Sequence, residues 1–382
     1  MSNSLVSSNG LGAKFPQLVD GRGMGSLPLL LAALPRRSLA KLATPLLLAS
    51  SSSPTQALQA DQAIPTRLRD AKVFKVNADT SSALKPSLLA LDNNLLIPTL
   101  AQKKRAVFLG EHHNSAQDHF LQAEIIRELA SNRRVAVGFE SFQRRFQPVL
   151  DSYVQGRISE DELFHQTEWE TRWFWPFERY LPIFRECRRQ QINMIAMNVD
   201  SEDLSLVETG GLPALPASTL KLYIPDAEGF GNFARTLSFR EYVAYVVQPS
   251  YQMHKRMGIL RKDVSGNDMP FRNFLSGRLL WDEAMGSCAA SWCANNPTGL
   301  FIGLIGSDHV KFGCGVPARC ARQGIEGIAS VMLNPLPIDT QADPTLIVDG
   351  AAKGQFSFAD YTLQIRYDDN GVLPLADYLV FS

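Results

Sequence analysis

Apolar and polar positions alternate without a clear period over the first hundred residues, and the pattern becomes regular from Arg105 onward. Residues 106–109 are a short apolar run of strand type closed by Gly110. After Glu111-His112-His113-Asn114, Ser115 opens a helix, with Asp118 placed to help cap it. Phe120, Leu121, Ile125 and Leu129 fall near helical spacing, so this helix buries one face. A second strand at 135–139 runs into Glu140 and Ser141. Strand, helix and strand within about 35 residues make a βαβ unit, which requires a parallel pair of strands.

The pattern repeats. Residues 147–155 read as a helix stopped by Gly156, and Ser159 with Glu162 forms a capping box for the next. Residues 177–190 read as a helix with a basic last turn. Residues 193–199 form a third strand with Asn198 at its end, and 300–305 a fourth, followed by Gly306-Ser307-Asp308-His309. The segment 212–262 interrupts the strand rhythm and reads mainly helical. The expected fold is therefore α/β: a mainly parallel sheet flanked by helices, with a mostly helical subdomain inserted at about 212–285. Residues 105–335 hold this domain, 61–104 form an extended N-terminal arm, and 336–382 a C-terminal strand extension. In that extension 361–367 alternate like an edge strand turned at Asp369-Asn370-Gly371.

Composition sharpens the picture at the N-terminus. Of 382 residues, 45% are hydrophobic and 20% charged, as in folded globular proteins. Lys+Arg and Asp+Glu each number 38, yet residues 1–60 carry five basic residues and only Asp20 as an acid. Rich in Ser, Leu and Ala, that stretch has the character of a transit peptide. Within it, Pro35-Arg36-Arg37-Ser38-Leu39-Ala40-Lys41 precedes a short apolar core and small residues ending in Ala57 and Ala60, the order of a twin-arginine export signal. The expectation is a bipartite leader directing the chain to the chloroplast and on to the thylakoid lumen. Export by a bacterial twin-arginine route is the alternative. No segment has the about 20 apolar residues of a membrane span.

The remaining chain, with 33 basic and 37 acidic residues, lacks the basic surface that nucleic acid requires. Five cysteines include no CxxC or CxxCH, which argues against zinc-ribbon, thioredoxin-type and c-type haem sites. One Gly110 followed by bulky residues is no dinucleotide fingerprint, and Walker, GxSxG and HExxH motifs are missing too.

What remains is a set of strands that each deliver polar groups at their carboxyl ends, where open α/β sheets bind ligands. Glu111, His113, Glu140 and His309 are the candidate pocket, with Asn198 and Asp282 in support. Two carboxylates near imidazoles can divide acid and base roles or hold a divalent metal, and the same four residues would be its ligands. Trp169, Trp173, Phe174, Trp175, Phe177 and Tyr180 could wall a flat ligand or form core. Trp175, Tyr251 and His254 are candidates for cofactor contact, since Tyr and His are possible axial ligands of haem iron.

Gly110-Glu111-His112-His113 followed by a helix and Gly138-Phe139-Glu140 resembles the ChaN-type haem-binding proteins of the Tiki and erythromycin-esterase superfamily. Tyr153-Val154-Gln155-Gly156, the Trp-rich stretch from Trp169, Ala196-Met197-Asn198 and Trp281-Asp282-Glu283-Ala284-Met285 add to the resemblance. So do Gly306-Ser307-Asp308-His309-Val310 with 313–319, and 375–379 resemble the family's closing segment. The resemblance implies an α/β domain with a helical excursion and non-covalent binding of haem or another tetrapyrrole. It also implies a paired Glu/His pocket like the hydrolase sites of related superfamily members, with those roles falling on Glu111, His113, Glu140 and His309. His112 occupies a variable place and inherits no role. The expected partner is a small tetrapyrrole, a homodimer is compatible, and a Glu/His-dependent hydrolase is the alternative function.

Overall fold

In the computed structural model the run starting at Ala106 becomes a fully buried central strand, β3 (Ala106–Glu111). The structure describes residues 65–81, 86–262, 265–340 and 361–382; the expected leader, 1–60, lies outside them. The other strands are β1 (Lys72–Asn77), β2 (Ser87–Leu91), β4 (Val135–Gln143), β5 (Asn193–Asn198), β6 (Leu300–Gly306), β7 (Ile328–Leu333), β8 (Gln364–Arg366), β9 (Val372–Pro374) and β10 (Tyr378–Phe381). Eight of them form one sheet in the order β2-β1-β10-β7-β3-β6-β4-β5. From β10 to β5 every pairing is parallel, while β1 runs antiparallel to both β10 and β2. Helices flank this sheet, so the chain has the expected α/β architecture.

Local sequence explains the connections nearest the site. The Ala116–Ala130 helix joins β3 to β4, and the Ser115 hydroxyl caps it by accepting from the backbone N–H of Asp118 at 3.1 Å. Its apolar side, Leu121, Ile125 and Leu129, is fully buried. Burying each such side chain contributes about 1.5–3 kcal/mol. The Gln147–Val154 helix stops at Gly156, whose φ of +73° is left-handed backbone that favours glycine. Ser159 and Glu162 exchange both bonds of a capping box. The helix expected at 177–190 is divided: Phe177–Arg179 is a single 3-10 turn and the α-helix runs Leu181–Arg189. Pro182 has no N–H to donate, so it is accommodated only in a first turn, and the helix restarts there.

Between β5 and β6 the described residues are mainly helical, from Ser201–Gly210 to the 25-residue helix Phe271–Asn295 that returns to the sheet, with an isolated bridge between Lys262 and Asp268. The described part of 61–104 differs from an extended arm: it supplies β1, β2 and the Asn93–Lys103 helix. The reason is non-local, because β1 pairs with β10, which forms only when the far end of the chain returns. The C-terminal alternation becomes β8, which pairs antiparallel with β9 in a separate two-stranded sheet rather than at the edge of the large one. The turn between them closes with Tyr367 N–H donating to the Gly371 carbonyl at 3.1 Å.

Candidate functional site

The strand order places β6 between β3 and β4, with Gly306 directly beside Glu111. Glu111 ends β3, and Glu140 lies on β4 where the pairing with β5 goes irregular between Phe139 and Gln143. Such a bulge re-aims side chains at a sheet rim. His113 follows β3 and His309 sits in the Ser307–Val310 turn after β6. All four candidates therefore meet at one end of the sheet, and none is more than 2% exposed.

Glu111 is the anchor of one half. Its Oε1 lies 2.9 Å from His113 Nδ1 and accepts from the Tyr180 hydroxyl at 3.0 Å, while Oε2 accepts from Gln122 Nε2 at 2.7 Å. His119 Nε2 stands 3.3 Å from the same Oε1, off the alignment of a hydrogen bond. Burial pushes the Glu111 carboxyl up, but His119 and His113 outweigh it and hold the group well below the usual carboxylate range. Trp173 donates to the Tyr180 hydroxyl at 3.1 Å and packs edge-on against His113. The Trp175 ring tilts against His113, ring centres 5.8 Å apart.

The second half is a relay from Asp282 to Glu140. His309 Nδ1 is hydrogen-bonded to Asp282, and its Nε2 lies 3.2 Å from Glu140 Oε1. Asp282 also meets Arg278 at 3.3 Å. Burial opposes ionisation of Asp282, yet Arg278 and His309 bring it down to about 2. Burial and Arg278 push His309 down, but Glu140 and Asp282 prevail and raise it above the ordinary imidazole value. Glu140 is likewise held low against its burial by His309 and His113. Its Oε2 accepts from the Gly306 N–H at 2.6 Å.

The halves face each other across Glu140 Oε1 and His113 Nε2, 4.0 Å apart, both buried and neither hydrogen-bonded. The juxtaposition needs a glycine on β6. A Cβ at Gly306 would sit 2.7 Å from His113 Nε2 and 3.5 Å from Glu140 Oε2.

Asn198 supports the rim rather than the carboxylate: its Nδ2 donates to the Glu140 backbone carbonyl at 2.7 Å and its Oδ1 accepts from Val199 N–H. Tyr251 and His254 are not brought to the pocket. Tyr251 donates to the Met269 carbonyl at 3.0 Å inside a small separate cluster with Leu260 and Met269. His254 Nδ1 is bonded to the Ser250 carbonyl and its ring packs against Phe274. Sequence reasoning missed His119, Gln122 and Arg278, and named Tyr180 only as part of the aromatic run. His119 and Gln122, three apart after the Ser115 cap, share the helix face turned toward β3, and that spacing was the available signal.

Glu111's oxygens are already taken by neighbouring donors, and among the described residues no group of three or more His, Cys, Asp or Glu is arranged to hold a metal ion. The divalent-metal set does not fit this arrangement. All five cysteines are free thiols. A cleft of about 250 Å³ opens beside the pocket, with Ser141, Asn198 and Trp281 among its walls. The Trp281 ring also lies against His309, centres 5.8 Å apart. Among the described residues no helix is long and apolar enough to cross a membrane.

The Arabidopsis thaliana protein RETICULATA-RELATED 5, chloroplastic, is 26% identical over 289 residues, 70% of this chain and 34% of the relative. The chain thus spans about a third of that relative's length. Among solved structures, one described as cofacial heme binding to ChaN of Campylobacter jejuni is similar at 15% identity and TM-score 0.49, covering 83% of this chain and 98% of the other. An erythromycin esterase EreC mutant in its open conformation is similar at 11% identity and TM-score 0.41, covering 81% and 97%. The model of the family "Haem-binding uptake, Tiki superfamily, ChaN" matches residues 97–320, more than half of the chain and all four pocket residues. The chain belongs to this ChaN family of the Tiki superfamily.

Proposed function

We propose that the pocket is a Glu/His acid–base site of hydrolase type. The observation that carries this reading is the imidazole of His309, oriented by Asp282 and 3.2 Å from Glu140 Oε1, with His113 Nε2 facing that same oxygen across 4.0 Å. Glu140, held ionised, takes a proton from a water as its oxygen bonds to the electrophilic centre of the substrate. His309, whose hold on a proton is strengthened by Glu140 and Asp282, gives its proton to the departing group as that bond breaks. The 3.2 Å separation of the two then returns the proton from Glu140 to His309 and resets the site. His113, oriented by Glu111, positions the water. General acid–base catalysis supplies about 10²–10⁴-fold, so Glu140→Gln is expected to remove that much turnover on an ester, amide and phosphoester panel. No hydrolysis by the natural chain across that panel would reject the reading.

Family membership favours a second reading, non-covalent binding of haem or another tetrapyrrole. The cleft of about 250 Å³ is below the about 300–1,000 Å³ of usual ligand pockets. His254 does fit as an axial ligand. The Ser250 carbonyl can only accept, so Nδ1 carries the proton, and burial keeps the ring neutral with Nε2 as the free lone pair. A bound haem would supply an iron for that nitrogen. Haem titration should then give a Soret band that His254→Ala shifts and Glu140→Gln leaves alone; no haem spectrum at micromolar protein would dismiss this reading.

Residence in the chloroplast is supported by the acid-poor leader and by the chloroplastic relative, and the paired Arg36 and Arg37 support onward passage to the thylakoid lumen. A reporter fused to residues 1–60 tests both steps. Cytosolic fluorescence would overturn them, and Arg36→Lys with Arg37→Lys should strand the reporter in the stroma.

A further inference from the structure

We infer that Tyr242 is a positioning residue for His309. Its hydroxyl closes a ring of hydrogen bonds that runs from the Asp308 carbonyl through Arg278 and Asp282 to the His309 imidazole. The inference deepens the hydrolase reading and rests on it only for the effect on turnover.

Each bond of the ring has a fixed direction. The Asp308 carbonyl can only accept, so Tyr242 gives its one proton there, at 3.0 Å. Arginine can only donate, so the same hydroxyl accepts from Arg278 Nη2, also at 3.0 Å. Arg278 meets Asp282 through Nε at 3.3 Å. Asp282, held ionised, is bonded to His309 and leaves the proton on Nδ1. Arg278 and Asp282 stand four apart on the Phe271–Asn295 helix, which sets them on one face without fixing a side chain as long as arginine. The bond to Tyr242 supplies that fixation. Tyr242 is 1% exposed, and burial pushes its phenol well above the ordinary value, so the donor survives at alkaline pH.

The backbone around His309 is short and irregular. Ser307–Val310 is a single turn of helix, and Phe312 behind it is left-handed at φ +57°. The Asp308 side chain bonds inside the turn, to Lys311 at 2.6 Å. The helical insertion grips this segment from outside. Thr236 caps the Leu237–Tyr242 helix, and Phe239 and Tyr242, three apart, share its inner face. Phe239 lies under the Arg319 guanidinium, whose Nη1 donates to the Cys314 and Gly315 carbonyls at 2.6 and 3.0 Å. After Tyr242 the chain makes one π turn, Val243–Val247, a rare form that is frequent beside functional sites. One hydroxyl thus bears on the backbone before His309 and, through Arg278 and Asp282, on its ring.

The test labels the imidazole nitrogens of the full chain, which has six histidines, and reads exchange of the His309 Nδ1 proton with water by NMR. His309→Gln identifies the signal. Tyr242→Phe keeps the ring and removes the oxygen, and should speed that exchange about tenfold, the equivalent of one hydrogen bond. Arg278→Lys keeps the charge but lacks the fork that bonds Tyr242 and Asp282 together, so it should give the same acceleration. It also decides the matter if Tyr242→Phe fails to fold. Hydrolysis by Tyr242→Phe should show a lower kcat with KM unchanged, because His309 serves the departing group. A merely structural tyrosine would lower the melting temperature and leave the exchange rate alone. That result, or a His309 proton unprotected in the natural chain, would overturn the inference. Protection that the variants lose, in a natural chain that hydrolyses nothing, keeps the positioning and rejects the hydrolase reading. Hydrolysis by a chain whose His309 proton is unprotected does the reverse.

Discussion

Glu140 Oε1 lies 3.2 Å from His309 Nε2, and the two residues reach that distance from strands on either side of one hydrogen-bonded ladder. Glu140 comes from β4, and His309 from the turn leaving β6. The pair joins an ionised carboxylate to an imidazole whose other nitrogen is held by Asp282. Its pH behaviour is therefore set by three buried groups acting together.

Replacing Asp282 by Asn removes one of the two charges that raise His309. The His309 pKa should fall, and with it the pH at which the protonated ring is lost. If His309 acts as the acid, the alkaline limb of the pH–rate profile moves to lower pH. Carbon-detected NMR of the imidazole across pH 5–9 checks the shift independently of turnover, and an unmoved titration would contradict it.

Gly306→Ala should distort the pocket while leaving the sheet intact. The added Cβ would stand 2.7 Å from His113 Nε2, which has a buried ring with Trp173 and Trp175 packed around it. Overpacking of this kind costs about 1–3 kcal/mol. Urea unfolding should show that loss, together with an altered His113 resonance; stability equal to the natural chain would show that the ring moves freely.

Tyr180→Phe removes a donor from Glu111 and an acceptor from Trp173 at once. Leaving buried polar groups unpaired costs about 1–3 kcal/mol each. A midpoint lowered by that amount in chemical denaturation is expected, with the fold retained by circular dichroism.

His112, outside the pocket, ties the loop after β3 to the Pro337–Thr340 turn. Its ring nitrogens lie 2.8 Å from Asp118 and 2.9 Å from Asp339. Burial would lower its pKa, but the two carboxylates raise it to about 10. A folded-state pKa above the unfolded value contributes stability that is complete below about 6.5. That contribution is lost as pH rises through about 10. Melting temperature measured from pH 6 to 11 should decline along this window, and His112→Gln should flatten the decline. Glu111, Glu140 and Asp282, all held low, act with the opposite sign: their stabilisation is present above the ordinary carboxylate range and lost as pH falls through their depressed values.

Much of the pocket was legible because its markers are local. A buried strand must end, and Glu111 and Glu140 stand at apolar runs that the chain leaves with polar residues. Asp282 was legible as support, but its bond to His309, 27 residues on, was not. Tyr180 was legible only as one of an aromatic run; its bond to Glu111, across 69 residues of chain, was hidden for the same reason. Tyr251 had the chemistry of a ligand, yet the Met269 carbonyl claims its hydroxyl, and the Ser250 carbonyl claims only Nδ1 of His254.

The sequence by itself determined the parallel strands, the Ser115 and Ser159 caps, the stop at Gly156 and the candidate groups at the strand ends. Those features follow from side-chain periodicity and from hydrogen bonds a few residues long. Only the tertiary structure decided that β6 enters between β3 and β4, so that Gly306 leaves room for His113 to face Glu140. It also decided that residues 72–75 pair with 378–381 and that Arg278 and His119 tune the buried charges. Strand order and long-range ion pairing depend on burial shared by distant segments, and no local pattern in the chain encodes which segments those are.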